Sequence, residues 1–187
     1  DGVIVAFVDS GLDFDNWGAE FSQNSYLGTT PDCWAAQGLD FSQFGYDMIF
    51  NDPNPNDISG HGTDVAGTFI NQYDSQVPLS LLHFKFFSAT RGSYFDALCG
   101  SYLAAASGAD ILHWSWGFPE TELPGSLANL LSYLIDRNII VVAAGGNEMM
   151  NIDFDPVYPA AAASSFDNLI AVASYSYLNN PVTLEPE

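Results

Sequence analysis

Three short stretches of this 187-residue chain carry side chains that could do chemistry. Asp9-Ser10-Gly11-Leu12-Asp13 offers a carboxylate directly after an apolar run. His61-Gly62-Thr63-Asp64-Val65-Ala66-Gly67 sets an imidazole between glycines at the mouth of an amphipathic segment. Ala143-Ala144-Gly145-Gly146-Asn147-Glu148 places an amide after small residues that would let a substrate backbone come close. Each has an ordinary structural use when taken alone: an Asp at a strand end caps a turn, and a lone His packs or caps a helix. Their order along the chain says more than any one of them.

The elements that must position them are legible from periodicity. Val3 to Val8 is a continuous apolar run ending at Asp9, which reads as a strand buried on both faces. Similar runs are Leu79 to Phe87, Ile111 to Trp116, Ile139 to Ala144 and Leu169 to Ala173. Leu127, Leu130, Leu131, Leu134 and Ile135 recur at helical spacing, with Ser126 as N-cap and Arg137 in the last turn. Phe95 to Ser107 is a second helix, stopped by Gly108, and Gly62 to Tyr73 a third. Strands alternating with helices predict a doubly wound α/β fold, a mostly parallel sheet covered by helices on both faces. Ligands in such folds sit at the carboxyl ends of the strands, where Asp9 and Asn147 both fall. The stretch from Asp13 to Asp57 is expected to be irregular, with one short strand, Tyr46 to Phe50.

Composition narrows the partners. Lys85, Arg91 and Arg137 are the only Lys and Arg residues against 23 acidic ones, a formal charge of −20. No basic patch can neutralise a row of phosphates, so nucleic acid and anionic membrane surfaces are excluded. No apolar run reaches the ~18 residues a membrane span needs. Hydrophobic residues make up 48% of the chain, enough for a packed core despite the charge. One domain, 1–187, is the expectation at this length, and the start at Asp1 reads as that of a mature or trimmed piece. Cys33 and Cys99 permit one pairing and do not define a redox compartment.

The order D-S-G, then H-G-T-x-V-A-G, then A-A-G-x-N resembles the subtilisin-like (S8 family) serine peptidases, also called subtilases. Leu82-His83-Phe84-Lys85-Phe86-Phe87 looks like that family's strand with its embedded Lys. Gly108-Ala109-Asp110-Ile111-Leu112-His113-Trp114-Ser115-Trp116-Gly117 looks like its G-A-D-I-I-N-M-S-L-G segment, and Tyr158-Pro159-Ala160 its Y-P-A. The resemblance runs from Val3 to about Ala173 and implies a subtilisin-like three-layer sandwich, a polypeptide substrate and a secreted protein. Carried over residue by residue, it implies that Asp9 orients His61 and stabilises its imidazolium, that His61 is general base and then acid, and that Asn147 donates to an oxyanion. Ser115, Trp116 and Gly117 would line one wall of the substrate cleft, and Ala144, Gly145 and Gly146 the other.

The departures are equally informative. No G-T-S occurs, and the chain ends forty residues after Asn147, so the resemblance implies that this chain alone lacks the nucleophilic Ser and is inactive. Ser10, Ser115, Ser164 and Ser165 read as turn, cleft-wall and loop residues. Asp64 replaces a usual His, His113 a usual Asn, and Trp114 and Trp116 are bulkier than the usual Met and Leu. A sandwich incomplete on its carboxyl-terminal side would expose apolar surface. Three covers are expected: a second chain from a nicked precursor, further residues of the same polypeptide, or self-association. The rival reading is a non-catalytic subtilase-derived module that binds peptides or self-assembles outside the cell. The chemistry needs no cofactor; Asn51 to Asp57, with Asp13 and Asp15, clusters hard oxygens suited to a structural Ca²⁺ and equally composes a plain loop. No metal ligand is assigned.

Overall fold

The computed structural model of this chain describes residues 2–15, 45–73, 77–89, 91–147 and 151–174. Cys33 and the greater part of the irregular stretch lie outside them. The predicted apolar runs become parallel strands: β1 (Val3–Asp9), β3 (Leu79–Lys85), β4 (Ile111–Trp114), β6 (Ile140–Ala144) and β8 (Leu169–Val172). With β2 (Gly45–Asp47) at one edge they form a six-stranded sheet in the order β2-β3-β1-β4-β6-β8. A separate antiparallel pair joins β5 (Phe118–Pro119) to β7 (Val157–Tyr158). The strand order reverses between β1 and β4, and the crevice at such a reversal is where doubly wound sheets bind ligands.

Three helices flank the sheet. Helix α1 (His61–Gln72) packs through Ala66 on Val5, Phe7, Leu12 and Leu81. On the other face, α2 (Tyr94–Ala106) and α3 (Gly125–Ile135) bury Leu98, Leu103, Leu127, Leu130, Leu131 and Leu134 against Ala6, Val8, Leu82, Leu112, Trp114 and Val141. A 3₁₀ turn (Ala160–Ser164) leads into β8.

Coverage of the two faces is unequal. Register aligns Phe7 with His113, His113 with Val142 and Val142 with Ile170, and aligns Val5 with Ile111 and Ile111 with Ile140. Helix α1 covers this face over β1 and β3, whereas Ile140, Ile170 and Val172 are exposed. Helices lie on both faces of the mostly parallel sheet, as expected, and the α1 side is covered only part-way across.

Three local expectations are corrected. Ser126 does not cap α3: Pro124, at φ −60 and ψ 133, precedes a helix that already begins at Gly125, and Ser126 Oγ instead lies 2.9 Å from the Tyr94 hydroxyl. Arg137 lies past the last turn, where it donates to the Tyr133 carbonyl and stacks on the Tyr133 ring. The predicted strand Tyr46 to Phe50 stops at Asp47, because Asp47 Oδ1 accepts the N–H groups of Ile49 and Phe50 and folds the chain into a turn closed by Asn51 at φ 55. By contrast, α2 ends as expected before Gly108, at φ 87, and starts at Ser93, whose Oγ accepts the Asp96 N–H.

Candidate active site

Asp9 is the last residue of β1 and only 1% exposed. Its Oδ1 accepts the Ser10 N–H at 2.7 Å and lies 2.7 Å from Nδ1 of His61. His61 is the first residue of α1, its side chain 47% exposed, with the Phe87 ring centroid 5.7 Å from its own. The bond to Asp9 raises the His61 pKa; burial opposes it, and the charges of Asp9, Asp57 and Asp64 add to the rise.

The approach of α1 to β1 is made by the backbone. Gly62 N–H donates to Ser10 Oγ at 2.8 Å. A Cβ on Gly62 would lie 2.4 Å from the Gly11 carbonyl oxygen, so only glycine allows the contact. Gly11, at φ 107, turns the chain after β1 so that Leu12 N–H reaches the Pro55 carbonyl.

Beyond the ends of β4 and β6 the chain forms two walls. His61, Ser115, Trp116, Gly117, Ala144, Gly146, Asn147 and Val157 line one cavity of about 260 Å³. The structure therefore brings together every residue assigned above to catalysis or the substrate cleft except Asp9 and Gly145. Asp9 stands behind the imidazole, and the Gly145 N–H is turned away to the Val172 carbonyl at 2.8 Å. Val157 was not foreseen: pairing of β5 with β7 brings it opposite Pro119, and a Cβ on Gly117 would lie 2.8 Å from its Cγ1. A neighbouring hollow of about 420 Å³ shares Trp116 and Gly117 and is walled by Phe86, Phe87, Tyr94 and Phe118, with Arg91 beside them. A third, of about 650 Å³, lies between α1 and the end of β4 and includes His113 and Ser115.

Burial lowers the pKa of two further imidazoles. Burial takes His83 down to about 3, and its ring stacks on Phe7 at 5.3 Å. Burial also lowers His113, opposed by the Asp9 charge and reinforced by His61. Asp52 and Asp57, in the stretch read as a calcium candidate, use their carboxylates on backbone N–H groups of their own loop. Among the described residues there is no group of three or more His, Cys, Asp or Glu placed to hold a metal ion, and no helix is long and apolar enough to cross a membrane.

The sequence model of the Subtilase family matches residues 1–183. "Subtilisin-like protease 2" of Plasmodium falciparum (isolate 3D7) is 27% identical over 183 residues, covering 93% of this chain and 13% of that protein. "Thermophilic serine proteinase" of Bacillus sp. (strain AK1) is 28% identical over 138 residues, covering 70% of this chain and 32% of that protein. Among solved structures, a lanthipeptide protease superposes with a TM-score of 0.69 at 19% identity, over 92% of this chain and 48% of that one. A cold adapted subtilisin-like serine proteinase superposes with a TM-score of 0.65 at 21% identity, over 91% and 53%. The chain thus spans about half of each of these structures and less of the two proteins.

Proposed function

The chain belongs to the subtilase family, and on that premise we propose that it supplies the carboxylate, imidazole and oxyanion amide of a secreted serine endopeptidase whose nucleophilic Ser comes from polypeptide outside these 187 residues. The observation that carries the reading is the 2.7 Å approach of Asp9 Oδ1 to His61 Nδ1. With Nδ1 engaged by the carboxylate, Nε2 is the atom left to take a proton.

In the proposed reaction an extended peptide lies between Ser115-Trp116-Gly117 and Ala144-Gly145-Gly146. The Ser hydroxyl gives its proton to His61 Nε2 as its oxygen bonds to the scissile carbonyl carbon. The resulting oxyanion accepts a hydrogen bond from the Asn147 side chain. The imidazolium, stabilised by Asp9, then protonates the leaving amine as the C–N bond breaks, and water reverses these steps to release the acyl group.

Exposed Ile140, Ile170 and Val172 support the arrival of a further segment, since that face of the sheet borders the hollow containing His113 and Ser115. The test is a fluorophosphonate serine probe applied to the purified material, with intact mass. Labelling of a longer polypeptide or of a co-purifying fragment, abolished by His61→Ala, is the expected result. A single soluble, unlabelled 20.2 kDa species would overturn it in favour of a non-catalytic binding or self-assembling module, and labelling that survives His61→Ala would overturn the role of His61.

A further inference from the structure

One buried carboxylate near the imidazole has no part in that reaction. Asp57 is 6% exposed and gathers four donors. Its Oδ1 accepts the N–H groups of Ser59 and Gly60 at 2.9 and 3.0 Å, and its Oδ2 accepts the N–H and hydroxyl of Thr63 at 3.0 and 2.8 Å. Burial alone would raise its pKa, but these bonds lower it overall.

The four donors belong to the segment that launches α1. Gly60, at φ 88, has no side chain with which to cap the helix. Asp57 does so from three residues upstream, on N–H groups that a helix start leaves without intrahelical partners. It is also tied to the turn after β1: its own N–H donates to the Leu12 carbonyl at 3.1 Å, and Thr63 Oγ1 accepts the Asp13 N–H at 2.9 Å. The helix start that carries His61 is therefore fastened to the Asp57 carboxylate, and the strand end that carries Asp9 to the same residue through its backbone N–H and through Thr63.

We propose that Asp57 is a positioning residue for His61: by holding Ser59, Gly60 and Thr63 it sets the first turn of α1, and with it the reach of His61 Nδ1 to Asp9 Oδ1. Its catalytic consequence rests on the reading of His61 as general base; the geometric claim does not. The other charged or titratable groups that act on the imidazole are Asp9 from β1, Asp64 from α1 itself and His113 from β4.

The experiment is NMR of the three imidazoles in the 187-residue chain. The wild-type chain should show a low-field Nδ1 proton shared between His61 and Asp9. Asp57→Asn keeps the shape but turns an amide toward donors, so that proton should be lost; loss of the Asp57 charge alone moves the His61 and His83 titrations down, so the proton is the readout of position. Asp57→Glu keeps the charge but displaces the oxygens, and should also lose the proton. Thr63→Val, which removes one donor to Asp57 and the acceptor for Asp13, should weaken the signal in the same direction and serves if Asp57→Asn does not fold. Ser93→Ala removes the cap of α2 and should leave the His61 signals untouched, separating positioning from lost stability. Retention of the low-field proton in Asp57→Asn and Thr63→Val would overturn the proposal. If the wild-type chain shows no such proton, the Asp9–His61 pairing itself fails.

Discussion

The hydroxyl of Ser10 accepts the backbone N–H of Gly62 at 2.8 Å, so the residue after the carboxylate is bonded to the residue after the imidazole. This bond and the Asp9–His61 contact run side by side from β1 to α1. Two residues from a strand end thus meet two from a helix start, and the geometry of one pair constrains the other.

Gly62→Ala should break this joint. The added Cβ would lie 2.4 Å from the Gly11 carbonyl oxygen and 3.1 Å from Asp9 Oδ1, and neither atom is the free end of a flexible side chain. A loss of about 1–3 kcal/mol in urea unfolding is expected, as for overpacked sites. An unchanged midpoint would mean that the two elements do not approach so closely.

Lys85 Nζ lies 2.8 Å from Asp47 Oδ2 and from the Asn56 carbonyl oxygen, and both members of the ion pair are buried. Lys85→Met strands the carboxylate and should cost about 3–5 kcal/mol, the usual penalty for removing one partner of a buried pair. Adding Asp47→Asn, which removes the stranded charge but can still accept from Ile49 and Phe50, should restore part of the loss. A double variant no more stable than the single one would count against the pair.

Stability should peak near pH 6.5, the ordinary imidazole value, with the two limbs set by different residues. His83 is depressed to about 3 by burial, so the unfolded chain binds the extra proton; its contribution is full above 6.5 and is lost as pH falls toward 3. The steepest slope is about 1.4 kcal/mol per pH unit. His61 is raised, chiefly by its bond to Asp9, so its contribution is full below 6.5 and is lost as pH rises through the folded value. Denaturant titrations across pH check both limbs: His83→Leu should make the acid side shallower, leaving the part due to His113, and His61→Gln should flatten the alkaline side.

Where an active longer polypeptide is in hand, Asn147→Ala should lower kcat about 10²–10³-fold with KM nearly unchanged, the cost of one oxyanion donor. Steady-state kinetics on a peptide substrate decide it, and a variant changed only in KM would make Asn147 a substrate-binding residue instead.

Ile140→Lys with Ile170→Lys should reduce binding of a hydrophobic dye by the 187-residue chain, because both side chains are exposed on the face of the sheet that α1 leaves open. Equal dye binding before and after would place the apolar surface elsewhere.

Much of this was written locally in the sequence. A continuous apolar run such as Val3 to Val8, bounded by turn residues and rich in Val, reads as a strand buried on both faces, and leucines at helical spacing from Leu127 to Ile135 form one apolar stripe. Short-range physics therefore sufficed for β1 and α3, and the three motifs fell at element ends because the runs beside them stop there. It did not suffice where a residue's partner lies far along the chain. Ser126 looked like a cap until Pro124 began the helix earlier, and Val157 entered the cleft only through the pairing of β5 with β7. Asp57 read as one of a cluster of hard oxygens in a loop, since nothing near it in sequence shows that Leu12 and Asp13 come back to its side. The strand order, the uncovered half of one sheet face and the 2.7 Å between Asp9 and His61 were decided by tertiary packing, because each depends on which strands become neighbours, and hydrophobic pattern alone is the same for any order of equally apolar strands.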